Sequence, residues 1–390
     1  MTGSGGSALI YIPPAVDPAT VFGGRTLLDR ALALAAAAGL QPQLIDCSAG
    51  RPLPSSAGPT TLRPGAPLVA AEGLVLLLRC DVGCVAGALR DLAAGVSGEA
   101  VAYDDAGRVA LVRTTVAALG AVVPPDLEAA AHGLTVAPRP GWLGSRRIVA
   151  LDAVTTPAGR KRAETDLLNA LDNPRDGIVD RVLNRHLSRP LSRALLSLPV
   201  TPNQITIAAL LLAFVAAAAL AQPGIATPVL GALLLQLTAV LDCVDGEIAR
   251  AKVLETEWGE WLDITSDTFI HVATFLGIAV HAWPELGSET AKWLGGVFAF
   301  GGLASFVVVT RAEKTEQRWQ RSGGWQGRLL ATLLATLTTR DSSVLVLLVA
   351  AAGLQAPFLV AAAFAAQLFW VGALLLHTSA MRGARVSPRR

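Results

Sequence analysis

Residues 241–269 read LDCVDGEIARAKVLETEWGEWLDITSDTF, four aspartates set into the apolar half of the chain. Asp242 and Asp245 are three residues apart, and Asp263 and Asp267 four, so each pair falls on one face of a helix. A short connection between two such helices aims all four carboxylates into one cleft. Ionisable groups inside a membrane segment are costly and usually mark function. Four carboxylates gathered there repel one another and take up protons unless cations neutralise them. Oxygen-only ligands suit hard ions such as magnesium, manganese or calcium better than zinc, and pairs of such ions commonly serve phosphoryl chemistry. Gly246 and Ala249 lack bulk where a nucleotide has to approach the helix backbone. Arg250 adds a fixed positive charge with phosphate-matching geometry.

Working outward, six segments are apolar and close enough to 20 residues to cross a bilayer as helices: 204–222, 226–246, 259–282, 290–311, 341–356 and 358–378. Basic residues lie before the first (Arg175, Arg181, Arg185, Arg189, Arg193), after the second (Arg250, Lys252), after the fourth (Arg311 to Arg340) and in the tail (Arg382, Arg385, Arg389, Arg390). All four groups fall on one side of the expected topology. The positive-inside tendency therefore predicts cytoplasmic termini. The segment DGIVDRVLNRHLSRPLSRALLSL alternates arginines with leucines as an interfacial amphipathic helix does.

The 390 residues are 52% hydrophobic and 16% charged, against about 25% charged in an average soluble domain. A net charge of +2 without a concentrated basic face does not imply a nucleic-acid partner, and none is expected. Cys47, Cys80, Cys84 and Cys243 lack the spacing of a zinc site or disulfide framework and read as reduced, mostly buried thiols. Residues 1–7 have neither the basic start nor the apolar core of a secretory signal, so the N-terminal half is expected in the cytosol. His186, His271, His281 and His377 are scattered and read as structural.

The eight positions Asp242, Asp245, Gly246, Ala249, Arg250, Gly259, Asp263 and Asp267 stand at the spacing of the CDP-alcohol phosphotransferase signature, and the chain resembles that family. The resemblance implies a six-helix membrane fold, a homodimer, and a polar cavity open to the cytoplasm. It implies attack by an acceptor hydroxyl on the alcohol-linked phosphate of a CDP-alcohol, with release of CMP. Asp242, Asp245, Asp263 and Asp267 would hold Mg2+ or Mn2+ as a pair of ions, Asp267 also taking the acceptor's proton. Gly246, Ala249 and Gly259 would border the cytidine, with Arg250 near the diphosphate. Family members often open the first span with Thr-Pro-Asn, here Thr201 to Asn203, which would set Thr206 near the nucleotide; the same residues serve equally well as a helix cap. Arg311 and Arg340 stand where relatives with phosphorylated acceptors grip the phosphate, and also where topology alone places arginines.

The first 165 residues alternate short strands (ALIYI, PQLID, GLVLLL, EAVAY, RVALVR) with helical patterns such as LLDRALALAAAAGL, which predicts a cytosolic α/β, Rossmann-like domain. Its order resembles the sugar-nucleotide transferases. Their triphosphate loop needs glycines and a basic residue, but IPPAVDPAT has neither, and Ala153 and Thr155 occupy the places of an Asp-x-Asp. Asp81 alone stands where a metal ligand would be. The expected domain is thus a degenerate cytidylyltransferase relative (1–165), followed by a juxtamembrane helix (166–200), the six-helix domain (201–380) and a basic tail (381–390). Such a fusion resembles the bifunctional enzymes that make CDP-inositol and then di-myo-inositol phosphate phosphate, which favours a polar alcohol such as inositol phosphate as substrate. A cation-coupled transporter would need broken helices and paired repeats. A nucleotide-sensing scaffold that had lost activity would not need an intact motif.

Overall fold

A computed structural model describes residues 7–12, 19–46 apart from 23, 74–84, 100–103, 108–115, 156–171, 179–322 and 342–386, together with Leu89, Gly177 and parts of 61–66, 119–131 and 142–151. The chain divides into two compact units, one of residues 1–173, 189–201 and 246–255, the other of 174–188, 202–245 and 256–390.

The first unit is built on a six-stranded sheet of β1 (Ser7–Ile12), β2 (Gln41–Asp46), β3 (Thr61–Leu62), β4 (Leu74–Arg79), β5 (Ala100–Tyr103) and β6 (Val109–Thr115). The strand order is β3-β2-β1-β4-β6-β5. β1 lies parallel to both β2 and β4, while β6 runs antiparallel to β4 and β5. Leu9 sits opposite Gln43 on one side and Leu77 on the other, and Leu77 opposite Val112. Strands buried on both faces need near-continuous apolar runs, which ALIYI and LVLLL supply. The β1–β2 crossover is α1 (Leu27–Ala37), whose N-cap Thr26 accepts from the Asp29 amide at 3.0 Å. All five strands expected from sequence and this helix are present.

Farther along come α2 (Pro157–Ala170), a wide π-helical turn over Asp180–Asn184, and α3 (Arg185–Leu196). The apolar half follows as α4 (Pro202–Leu220), α5 (Ala226–Ala251), α6 (Glu257–His281), α7 (Ser288–Ser322), α8 (Ser342–Ala352) and α9 (Gln355–Val386). Among the described residues four helices are long and apolar enough to cross a membrane: α4, α5, α6 and the first part of α9, Gln355–Gly372. The protein is a multi-pass membrane protein by this measure. The described part of α8 has 11 residues, about 16 Å at the helical rise. It stops at Gly353, whose φ of +67° turns the chain into α9.

Small residues let these helices meet closely, as membrane packing requires. A Cβ on Gly277 of α6 would lie 2.4 Å from the Ala217 carbonyl oxygen of α4, and one on Gly231 of α5 would lie 2.7 Å from that of Ala216. The core of the second unit forms around Ala213, Ala216, Leu220, Ala232, Ile278 and Ala350.

Candidate active site

The aspartate motif opens onto α5 and α6. Asp242 and Asp245 lie one turn apart near the end of α5, and Asp263 lies in the second turn of α6. Each of the three offers a carboxylate oxygen within 4.8 Å of the others. Asp242 and Asp245 are 6% and 5% exposed. Thr206 of α4 donates to Asp245 Oδ2 at 2.6 Å, fixing that carboxylate's rotamer from a third helix. Thr206, expected near a nucleotide or as part of a helix cap, also donates to the Pro202 carbonyl at 3.2 Å. A donor set of three carboxylates at this separation fits a hard divalent cation, whose ligands are oxygens. Asp267 is not within this set. It lies one turn beyond Asp263 on α6 and lines, with Asp242, an adjoining cavity between α5, α6 and α8.

Gly259 accounts for the join between α4 and α6. Its amide is bonded by the N-cap Thr256 Oγ1 at 3.0 Å, and a Cβ there would come within 3.2 Å of Asn203 Oδ1. The glycine thus seats the start of α6 against the start of α4, a packing role that the motif alone does not reveal. In the first unit, Gly246 lies under Arg250: a Cβ would meet the guanidinium at 3.1 Å. Arg250 Nε donates to the Leu171 carbonyl at 3.1 Å, which orients the head group. Ala249 follows on the same helix, its carbonyl accepting from the Leu254 amide at 2.8 Å as α5 ends. Val253 takes the left-handed conformation at that end, φ +54°, which is strained for a β-branched residue.

The same end of α5 is tied down by cations. Arg30 of α1, fully buried, donates to the Ala251 carbonyl, and burial lowers its pKa to about 10. Lys252 Nζ donates to the carbonyls of Leu198 and, at 3.0 Å, of Val200, and burial lowers its pKa too. Glu247 accepts from Ser192 Oγ. None of these ties was legible beforehand. Of the two arginines assigned to an acceptor phosphate, Arg311 falls on α7 with its side chain outside the described residues, and Arg340 lies outside them altogether.

Residues 199–386 match the family described as CDP-alcohol phosphatidyltransferase. This part of the chain belongs to the CDP-alcohol phosphatidyltransferase family. Several curated relatives carry the name bifunctional IPC transferase and DIPP synthase. The protein from Aquifex aeolicus is 36% identical over 110 residues, 28% of this chain and 23% of that one. The protein from Rubrobacter xylanophilus is 33% identical over 214 residues, 53% and 45%. The chain therefore spans less than half the length of these curated relatives. Among solved structures, Mycobacterium tuberculosis phosphatidylinositol phosphate synthase with CDP-DAG bound aligns with 52% of this chain and 96% of its own, at 18% identity and a TM-score of 0.31.

Within the CDP-alcohol phosphatidyltransferase domain, the sequence reading missed His271 and Thr274. Both line the cavity that Asp242 and Asp267 share. By spacing alone His271 reads as structural, because the histidines are scattered and form no ligand set. The available signal was its position on the stripe Asp263, Asp267, His271, Thr274, which steps by four, four and three along α6.

Proposed function

We propose that the protein transfers a phospho-alcohol group from a CDP-alcohol to the hydroxyl of an acceptor alcohol, releasing CMP and forming a phosphodiester. The acceptor oxygen forms a new bond to the alcohol-linked phosphorus as that phosphorus loses its bridging oxygen to CMP. Asp267 takes the acceptor's proton. Asp242, Asp245 and Asp263, with Asp267 completing the set, would hold Mg2+ or Mn2+ as a pair of ions, which when bound would supply positive charge against the diphosphate and a more acidic hydroxyl. Arg250, with Gly246, Ala249 and Gly259, borders the nucleotide, and Thr206 steadies Asp245. Arg311 and Arg340 receive a phosphate carried by the acceptor. The observation that carries this reading is the convergence of three carboxylates within 4.8 Å, two of them buried, inside a complete eight-position motif.

The remainder of the reading concerns architecture. The domain crosses the cytoplasmic membrane six times, with both termini in the cytoplasm, and works as a homodimer. The N-terminal domain is a cytidylyltransferase-like fold without catalysis of its own. Supporting this, Asp81, which stands where a metal ligand would be, is buried and held by Arg79 at 2.6 Å. The CDP-alcohol must then come from a separate cytidylyltransferase. Names of the relatives favour a polyol phosphate acceptor over a simple lipid alcohol. Purified protein incubated with Mg2+ and a panel of CDP-alcohols and acceptors is expected to release CMP only when donor, acceptor and metal are all present. CMP release that ignores metal, or none with any pair, overturns the reading.

A further inference from the structure

We infer that the cavity beside Asp242 and Asp267 is a polyol subsite, in which Thr274 and Ser343 hydrogen-bond the non-reacting hydroxyls of the acceptor. This rests on the transfer reading above for the word acceptor, but not for the binding itself.

The cavity lies between three apolar helices, yet Thr238, His271, Thr274 and Ser343 line it together with the two aspartates. Polar groups in such surroundings are expensive unless they are hydrogen-bonded. Thr274 is 2% exposed, and its Oγ1 has no hydrogen-bond partner among the described residues. Buried hydroxyls are almost always satisfied, so this one awaits a ligand or water.

Ser343 is held differently. Its Oγ donates to Gln236 Oε1 at 2.8 Å, Gln236 Nε2 donates to Asn184 Oδ1, and Asn184 Nδ2 donates to Asp180 Oδ1 at 2.8 Å. All four residues are buried. Every donor in this chain points the same way, towards the Asp180 carboxylate. With its one proton committed, Ser343 can only accept from anything else it meets. Thr274 can both donate and accept. An alcohol hydroxyl, itself donor and acceptor, complements both.

Size and chemistry then select the ligand class. The cavity volume is about 40 Å³ counted over water positions, room for roughly three waters. That admits the hydroxyls on one edge of a polyol rather than a whole ring. An acyl chain fits the chemistry badly, because methylenes against Thr274 would leave its hydroxyl unmet at a cost of about 1–3 kcal/mol. Asp267 lines the same space, so hydroxyls seated here hold their neighbour within reach of the proposed base.

Full-length protein in detergent tests this with two readouts. In the first, glycerol 3-phosphate is compared with 1,3-propanediol phosphate, which lacks the extra hydroxyl. Wild type should prefer the former by roughly tenfold, the worth of one hydrogen bond of about 1.4 kcal/mol. Thr274→Val should lose that preference through the acceptor KM while the donor KM holds, Thr274→Ser should restore it, and Ser343→Ala should weaken it. Equal KM values for both acceptors in wild type, or an undiminished preference in Thr274→Val, overturn the subsite. In the second, myo-inositol should raise the melting midpoint of wild type and not of Thr274→Val. The same shift in both, or none in wild type, also overturns it. Absence of CMP release with every pair defeats the transfer reading instead, and the melting readout still decides the subsite.

Discussion

Replacing Asp245 by Asn tests the carboxylate cluster while preserving its volume. In metal-free protein the ligand oxygens of Asp242, Asp245 and Asp263 lie within 4.8 Å of one another. Two unit charges at that separation repel by about 3.5 kcal/mol at an effective dielectric near 20. Asn removes two of the three repulsions, nominally about 7 kcal/mol by the same arithmetic. Protonating one carboxylate is the alternative relief, and costs an ordinary aspartate about 4 kcal/mol at pH 7. That smaller figure is the ceiling. Asn keeps an oxygen for the Thr206 hydroxyl, so the 2.6 Å bond has a substitute. One kcal/mol shifts the midpoint of a domain this size by roughly 2–4 °C. The variant should therefore melt at least about 3 °C above wild type in EDTA, a fraction of the ceiling. Mg2+ at a hundred times its Kd should stabilise wild type by about 2.7 kcal/mol and the variant hardly at all, reversing their order. Tryptophan-fluorescence melts with EDTA and with Mg2+ read both effects. A variant that melts below wild type in EDTA, or keeps the full Mg2+ increment, refutes the cluster as a metal site.

Asp267→Asn should leave CDP-alcohol affinity within about twofold and lower turnover by at least the 10²-fold expected for a lost general base; isothermal binding and CMP release separate the two, and full activity would remove the assigned role. Gly277→Ala should lower the melting midpoint, because its Cβ would sit 2.4 Å from the Ala217 carbonyl and overpacking of this kind costs about 1–3 kcal/mol. Gly296→Ala, with nothing within 4 Å, is the matched control. In the first unit, burial pushes the Cys84 thiol up to about 12 and raises that of Cys80, with Asp81 adding to the latter. Unfolded thiols ionise near 8.5, so the stability they contribute is complete below that pH and falls above it by about 1.4 kcal/mol per pH unit per thiol. Denaturant melts at pH 8 and 10 should show the fall, and the double variant Cys80→Ala, Cys84→Ala should flatten it.

The site was legible where chemistry forces residue types onto a helical period, and illegible where packing alone brings side chains together. Asp242, Asp245 and Asp263 could be assembled from spacing because a helix converts steps of three and four into one face. His271 and Thr274 continue the same face, but neither residue type is costly enough at a helix surface to stand out alone. The chain from Ser343 through Gln236 and Asn184 to Asp180 spans separations of 107, 52 and 4 residues; only the last is a local pattern, and tertiary contact fixes the others. The break between the runs 341–356 and 358–378 is legible to within a few residues: the backbone turns at Gly353, with a φ of +67°, and the next helix begins at Gln355.

That turn bears on the subsite directly. α8 ends at Ala352, and Ser342 and Ser343 lie at the other end of its described residues, away from that turn. Continuous α8–α9 helix would be free to slide along α5, but a segment stopped at Gly353 is pinned by its contacts. The bond from Ser343 to Gln236 is such a contact, and Val346, one turn on, packs in the core with Ile270 and Leu235. Gly353→Val should strain the stop without touching any residue that lines the cavity. If the stop positions α8, the variant should lose preference for glycerol 3-phosphate over 1,3-propanediol phosphate while its Mg2+-dependent melting increment, which reads Asp242, Asp245 and Asp263, is retained. Loss of both together would mean that the carboxylates and the hydroxyl wall move as one body.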